Sequence, residues 1–253
     1  MVNPWLMKME QFTRFSDEER QTLDGLISKR QKQHRPGEDI IKEGEHSPDC
    51  HVVLSGLACR YKLLPDGSRQ IMAFLVPGDL CDAEIFILKE MDHSVAALGP
   101  ATTALVSGQE MSQLLSGQSR IAQALWWGTL TDLAVLRERV VDHGRRDAYE
   151  RIAHLLYEML VRYRMVGKTT DETLEFPVTQ ADLADATGLT PMHVSRMVGK
   201  LREEGLIELK GKTLTILDPE RLKEVAGFNP NYLHLDRAHD SRDGIADRAG
   251  DLV

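Results

Sequence analysis

The segment from Thr179 to Ile216 constrains the fold more than any other part of the chain, because it contains two helix starts at a short, fixed spacing. Thr179 can cap one helix, and Thr190 can cap a second that begins at Pro191, where a missing backbone N–H costs nothing. Gly188 suits the turn between the two helices. The spacing therefore predicts two helices joined by a turn of three or four residues.

Small and apolar residues stand at the positions that such a helical pair requires. Ala184 lets the two helices approach each other, and Val194 fills the angle between them together with Leu183 and Met197. Helical periodicity turns Val194, Met197 and Leu201 inward. This arrangement is typical of a helix-turn-helix, whose second helix enters the major groove of DNA.

The predicted DNA-contacting residues lie at the helix starts, on the outward face of the second helix and in a wing. The ELKGKTLTIL stretch predicts two short strands, with lysines near phosphates. The residues are Thr179, Gln180, Thr190, Met192, His193, Ser195, Arg196, Lys200, Lys210 and Lys212. Because the formal charge of the chain is -8, nucleic-acid binding would depend on this local face rather than on the overall field.

Short apolar runs separated by turn signals characterise residues 35 to 107. Turn signals at this frequency predict a small all-β sandwich or barrel, and Pro65-Asp66-Gly67 is the clearest hairpin turn. Before this region, Ser16 begins a short helix that continues to Ile27.

A long helix follows, from about Ile121 to Val141. Its predicted dimerisation residues recur at spacings of three and four and form a narrow apolar stripe: Trp126, Leu130, Leu133, Leu136 and Val140. The narrowness favours a partner helix and hence a homodimer, although the stripe would also suit packing on the β domain of the same chain. His143-Gly144-Arg145-Arg146 interrupts the pattern, and Asp147 can cap a new helix, which indicates a hinge.

Several classes of protein do not fit this chain. The N-terminus lacks a signal peptide, and the most apolar later stretch, residues 95–106, is too short to span a membrane, so we expect a cytoplasmic protein. Cys50, Cys59 and Cys81 have neither a disulfide pattern nor the spacing of zinc ligands. No phosphate-binding loop, His-Glu-x-x-His motif or nucleophile elbow occurs, so an enzyme is not expected.

The order of β domain, long helix, hinge, helix-turn-helix and wing resembles the Crp/Fnr superfamily of bacterial transcription regulators over roughly residues 10 to 235. The resemblance is carried by the EGE and LSG motifs, LPDGSRQIMAFLVPGD, RIAHLL and LTPMHVSRMV, and GRRDAYERIAHLL is similar to alphaproteobacterial members near the Fnr and FixK branches. It implies a homodimer, activator or repressor, that binds a palindromic operator in double-stranded DNA and contacts RNA polymerase.

The resemblance implies an α+β fold in four parts. These are an N-terminal cyclic-nucleotide-binding-like β-roll (jelly roll) as the sensor domain over residues 1–118, a dimerisation helix over 119–143, a C-terminal winged helix-turn-helix over 144–227, and a partly disordered tail over 228–253. The last fifteen or so residues of the tail have no apolar periodicity, and they are the part expected to be disordered.

Departures from the family concern the effector. In catabolite activator proteins a Glu and an Arg-Ser pair hold cyclic AMP, whereas gapless alignment places Ala83 and His93-Ser94 at those positions here. A neutral His cannot replace a bidentate guanidinium on a phosphate, so cyclic AMP is not expected, although a shifted register would use Glu84. With Cys81, these residues form a candidate effector pocket, whose effector the sequence does not identify.

Metal and redox sites have two interpretations. An Fnr-type iron-sulfur cluster is not expected, because it needs four thiolates and no cysteine precedes Cys50. A second group of side chains would form a haem, metal or redox site if the roll gathered them, or would be ordinary buried thiols and loop histidines: His46, Cys50, His51, Cys59, Cys81 and His93. We assign no metal.

In the second helix Met192 replaces the family's Glu, which accepts from cytosine N4, while Ser195-Arg196 is retained. The half-site should keep a guanine read by Arg196 and lose the strict requirement set by the Glu. An alternative function is a sensor that acts on protein partners through a vestigial helix-turn-helix.

Overall fold

The computed structural model describes residues 3–82, 85–88, 90–117, 119–169 and 171–235. Its helices are α1 (Pro4–Met9), α2 (Asp17–Lys29), α3 (Ile85–Leu88), α4 (Gly108–Gly117), α5 (Ser119–Arg145), α6 (Ala148–Met165), α7 (Gln180–Thr187), α8 (Pro191–Glu203), α9 (Pro219–Val225) and a 3-10 helix (Pro230–Leu233). The tail is described as far as residue 235, and the part predicted to be disordered lies outside the described residues.

Antiparallel pairing organises the strands into three sheets among the described residues. The strands are β1 (Gln31–His34), β2 (Asp39–Ile41), β3 (Asp49–Ser55), β4 (Ala58–Leu63), β5 (Arg69–Leu75), β6 (Ser94–Ala97), β7 (Ala101–Ser107), β8 (Thr173–Glu175), β9 (Ile207–Lys210) and β10 (Thr213–Ile216). The sheets have the orders β1-β7-β3, β2-β6-β4-β5 and β8-β10-β9.

The first two sheets form the predicted β-roll, but the region is not all-β, because the short helix α3 lies between β5 and β6. Pro65-Asp66-Gly67 joins β4 to β5, as expected. Gly67 has φ of +82°, a left-handed conformation that favours glycine, and the backbone N–H of Ser68 donates to Asp66 Oδ1 at 2.9 Å. Local turn chemistry therefore fixes this hairpin.

The N-terminal helix prediction is also confirmed. Ser16 caps α2, and its side chain and that of Glu19 form a reciprocal capping box with the two backbone N–H groups. The helix continues two residues past Ile27, to Lys29, and buries Leu23, Leu26 and Ile27 against the roll.

Helix α5 extends further than its apolar periodicity indicates. The helix continues to Arg145, past the predicted end near Val141, and the predicted interruption is confined to Arg146 and Asp147, just before α6. A side chain from α6 satisfies the carbonyl groups at this end: Arg151 Nε donates to Asp142 O at 2.9 Å, and Arg151 Nη2 donates to Arg146 O at 3.0 Å. Asp147 then caps α6, as predicted.

The hydrophobic core crosses the predicted boundary between sensor and DNA-binding domains. Leu57, Cys59 and Phe74 of the roll belong to the same cluster of buried side chains as Leu155 of α6 and Leu183 of α7. A second cluster contains the N-terminal helices, the rest of the roll and the start of α5. The roll and the C-terminal part therefore pack against each other directly.

A set of buried charged residues, here called the buried charge cluster, also connects the two parts. Its members are Asp79 in the turn after β5, Arg139 and Asp142 on α5, and Glu158 and Arg162 on α6. Arg139 Nη2 donates to Glu158 Oε1 at 2.6 Å, and Arg162 Nη2 donates to Asp79 Oδ2 at 2.6 Å. Burial lowers the pKa of Arg162, but the charges of Asp79 and Glu158 outweigh burial and raise it, so the guanidinium stays charged.

Candidate nucleic-acid interface

Helices α7 and α8 have the predicted caps and turn. Thr179 Oγ1 accepts from the backbone N–H of Asp182 at 3.1 Å, and Thr190 Oγ1 accepts from that of His193 at 3.2 Å. Gly188 ends α7 with φ of +65°, where a side chain would be strained. The sequence thus sets both helix starts and the turn between them.

The inward face of the pair is as predicted except at one position. Val194 and Leu201 are fully buried on α8, and Leu183 is buried on α7. Met197, however, is only partly buried, and Val198 takes the more enclosed position. Val198 lies four residues after Val194, about one helical turn, and so stays on the buried face, whereas Met197 lies on the other side of Val194 at the border of the core.

The outward face of α8 presents uncharged and basic side chains. Met192, Ser195 and Arg196 are exposed on one side, opposite the buried Val194. His193 is half-buried. Among the described residues no ion pair engages Arg196, so its guanidinium is available to a partner. This is the geometry that a recognition helix requires.

Other predicted contact residues surround this face. Thr179, Gln180 and Thr190 are exposed at the starts of α7 and α8. Lys200 lies further along α8, with Nζ 4.1 Å from the centre of the Tyr149 ring. The Tyr149 ring, in the first turn of α6, therefore orients the ammonium of Lys200.

The wing consists of β9 and β10, joined at Gly211, which has φ of +59°. A third strand, β8, pairs with β10 and is absent from the sequence prediction. Lys210 and Lys212 are exposed on the wing, and Lys210 Nζ lies 2.7 Å from Glu208 Oε1. An exposed pair of this kind is weak, so a phosphate can compete for the ammonium.

The roll contacts the helix-turn-helix through a group of bonds that we call the Arg69 contact. Arg69, at the start of β5, donates from Nη2 to Asp182 Oδ1 at 2.5 Å and from Nε to Asp185 Oδ2 at 2.7 Å. The side chain of Gln70 donates to the backbone carbonyl of Asp185 at 2.7 Å. One guanidinium of the roll thereby pairs with two acids of α7 and offsets part of their charge.

The predicted dimerisation stripe is exposed on α5. Trp126 is 67% exposed and Val140 is 69% exposed, while Leu130, Leu133 and Leu136 are 43–45% exposed. Packing on the roll uses a different face of the helix, which buries the side chains of Ile121, Ala124, Leu125, Trp127, Thr131, Ala134 and Val135. The alternative in which the stripe covers its own β domain is therefore wrong.

The candidate effector residues are only partly described. Ala83 and Glu84 lie outside the described residues. His93 Nδ1 is 2.5 Å from Asp92 Oδ1, and Ser94 Oγ accepts from the backbone N–H of Glu43 at 2.9 Å. The hydroxyl of Ser94 thus serves the backbone of the loop after β2.

The cysteine and histidine set is dispersed through the roll. Cys50, Cys59 and Cys81 are fully buried, and burial raises the pKa of the Cys59 thiol to about 12. His51 Nδ1 lies 2.6 Å from Asp82 Oδ2. No group of three or more potential metal ligands occurs among the described residues. Within the same residues, no helix is long and apolar enough to cross a membrane.

A β-roll joined by a long helix to a winged helix-turn-helix with an open outward face defines a DNA-binding transcription regulator. Family comparison agrees: residues 31–118 match the cyclic nucleotide-binding domain, and residues 150–225 match the Crp-like helix-turn-helix domain.

Individual relatives and structures give a closer assignment. The nitrogen fixation regulation protein FixK of Rhizobium meliloti is 32% identical over 76% of this chain and 85% of its own length. The transcriptional activator protein FnrL of Cereibacter sphaeroides is 30% identical over 85% of this chain and 86% of its own length. The structure of FixK2 from Bradyrhizobium japonicum is 27% identical, with a TM-score of 0.70, covering 79% of this chain and 98% of that chain. The chain belongs to the Crp/Fnr family of transcription regulators, in its FixK-like branch.

Proposed function

We propose that the protein acts as a homodimer that binds a two-fold symmetric operator, with α8 of each subunit in the major groove. The observation that carries this proposal is the exposed face of Met192, Ser195 and Arg196, directly opposite a buried apolar face on the same helix. Two-fold symmetric dimers match palindromic half-sites, and the exposed stripe on α5 supplies a self-complementary surface for such a dimer.

An acidic chain can bind DNA in this way because its charges are locally arranged. Arg69 pairs with Asp182 and Asp185, so the field of these carboxylates is reduced close to the phosphates that would contact the start of α7. The lysines of the wing and Lys200 add positive charge around α8. Local cations rather than net charge then supply the phosphate contacts.

The remaining parts of the proposal concern control. The protein regulates transcription in the cytoplasm without catalysing a reaction. It contacts RNA polymerase, as the resemblance to the Crp/Fnr family implies, and its β-roll senses an effector of unassigned chemistry. The domain limits 1–118, 119–143 and 144–227 remain our proposed division, although α5 continues two residues into the third part. The shared core acts as the connection between sensor and DNA-binding parts.

Selection from random duplex DNA with the full chain, followed by gel shift, tests the proposal. We expect one preferred, two-fold symmetric sequence to be enriched and shifted by the dimer. A sensor that acts through protein partners would instead enrich no sequence, and its shift would be equally weak on selected and random duplex. That result would favour a sensor with a vestigial helix-turn-helix and contradict the proposed binding to an operator.

Leu133→Lys is expected to dissociate the dimer. Full burial of a leucine contributes about 1.5–3 kcal/mol to the stability of the dimer. The variant also places two ammonium groups, one from each subunit, between the two stripes. Sedimentation velocity at micromolar concentration measures the mass. Gln113→Lys, at an exposed position on α4 and away from the stripe, is the matched control and should leave the dimer intact. If Leu133→Lys remains a dimer, the stripe on α5 is not the dimer interface.

Cyclic AMP is expected neither to bind at physiological concentration nor to change operator affinity. Ala83 and His93 stand where the Glu and Arg of catabolite activators would be. The cyclic phosphate would therefore find no guanidinium at this position to bind it. Isothermal titration calorimetry and operator titration with and without the nucleotide are the measurements. Micromolar binding together with a rise in operator affinity contradicts this expectation.

A further inference from the structure

Met192 is an exposed apolar residue on the outward face of α8, which is otherwise polar or basic. Its side chain is 74% exposed, the highest value among the large apolar side chains in the described part of the chain. It is the second residue of α8, after the small ring of Pro191, and the other nearby side chains, Thr190, His193 and Ser195, are polar. Met192 is therefore not part of an apolar patch that would pack on another protein surface.

The chemistry of a thioether limits what Met192 can recognise. It has no hydrogen-bond donor and is a weak acceptor, so it cannot read the donor and acceptor pattern of a base edge. In the major groove only one base presents an apolar group, the C5-methyl of thymine. A flexible, polarizable side chain at the start of the recognition helix is well suited to pack on that methyl.

We propose that Met192 is a specificity-determining residue that contacts the 5-methyl group of a pyrimidine, normally thymine, in each half-site. The inference rests on the proposed function, because it needs α8 in the major groove. Met192 precedes Arg196 by four residues, about 6 Å along the helix axis, and base pairs rise about 3.4 Å. The thymine should therefore lie within about two base pairs of the guanine that Arg196 reads.

Deoxyuridine substitution tests the contact, because uracil differs from thymine only by the missing methyl. Each thymine of the selected operator is replaced symmetrically, one position at a time, and bound by the full chain. We expect one position to lose affinity by about threefold per half-site, or about tenfold for the dimer. The contact is uncharged, so the dependence of affinity on salt should not change at that position.

Two further arms use the same position. Cytosine should weaken binding, and 5-methylcytosine should recover part of the loss, because it restores the methyl but not the rest of the thymine edge. Met192→Ala should bind the thymine and uracil operators equally. Leu115→Ala, which removes an exposed apolar side chain on α4, is the matched control and should discriminate like the wild type.

The outcomes separate this inference from the proposed function. If an operator is selected but no uracil substitution matters, or if Met192→Ala still distinguishes thymine from uracil, the methyl contact is wrong and operator binding stands. If no sequence is selected, both are wrong. A tenfold, salt-independent uracil effect that disappears in Met192→Ala supports the contact.

Discussion

Arg196→Ala is expected to weaken binding of the dimer to its selected operator by about 2–6 kcal/mol. A guanidinium can donate two parallel hydrogen bonds to guanine O6 and N7, which contribute about 1–3 kcal/mol of discrimination per base pair, and the dimer uses the contact twice. Arg196 is exposed on α8 beside Ser195, on the face away from the core. The variant should also relax the base preference at one symmetric position.

The wing lysines provide the contrast. Lys210→Ala and Lys212→Ala should reduce specific and non-specific binding by similar factors. Each should also lower the slope of log affinity against log salt concentration by up to about one unit for every phosphate that its ammonium neutralises in the wild type. Lys212→Ala should have the larger effect, because the ammonium of Lys210 is shared with Glu208.

A competition titration distinguishes the two kinds of residue. Wild type and each variant are titrated on the operator, on the operator with its symmetric guanines replaced, and on random duplex, at two salt concentrations. Arg196→Ala should lose affinity mainly for the unmodified operator. An equal loss on all three duplexes would make Arg196 a phosphate contact and would contradict the register of α8 in the groove.

Glu158→Gln is expected to lower the free energy of unfolding by about 3–5 kcal/mol. Removal of one partner from a buried ion pair is strongly destabilising, and here Glu158 is fully buried while two guanidinium groups would keep, among the described residues, only Asp142 and Asp79 as their carboxylates. Its carboxylate accepts from Arg139 Nη2 at 2.6 Å and from Tyr232 Oη at 2.7 Å. The neutral amide keeps the shape of the side chain and loses the charge that these donors face.

Urea unfolding followed by circular dichroism measures this loss. Glu224→Gln, at an exposed position on α9, is the control and should change stability by less than about 0.5 kcal/mol. Since the buried charge cluster connects the roll to α6, the weakened variant should also unfold in a broader or two-step transition. Stability within about 1 kcal/mol of wild type would show that the cluster contributes little.

Local signals in the sequence predict much of this structure. The caps at Ser16, Asp147, Thr179 and Thr190 depend on residues only two or three positions away, so they can be read without knowledge of the tertiary fold. The hairpin at Pro65-Asp66-Gly67 is equally local. The exposed stripe on α5 also follows from spacing alone, because its periodicity is that of a helix face.

Features that depend on distant partners were not predictable in the same way. Gly144 indicates a helix break locally, yet α5 passes through it, since Arg151 supplies donors from the next helix. Strand β8 has only three residues and is defined by pairing with β10. The Arg69 contact joins positions more than a hundred residues apart, and no local pattern in either segment indicates it.

The Arg69 contact has a consequence for the search for an effector. β5 and α7 cannot separate without breaking two ion pairs, so a ligand that displaced β5 would also change the free energy of the position of α7. Such coupling is reciprocal: an effector that tightens operator binding by some factor binds the DNA complex more tightly by the same factor. Screening against the operator complex therefore favours detection of activating ligands, whereas screening against free protein favours ligands that release DNA.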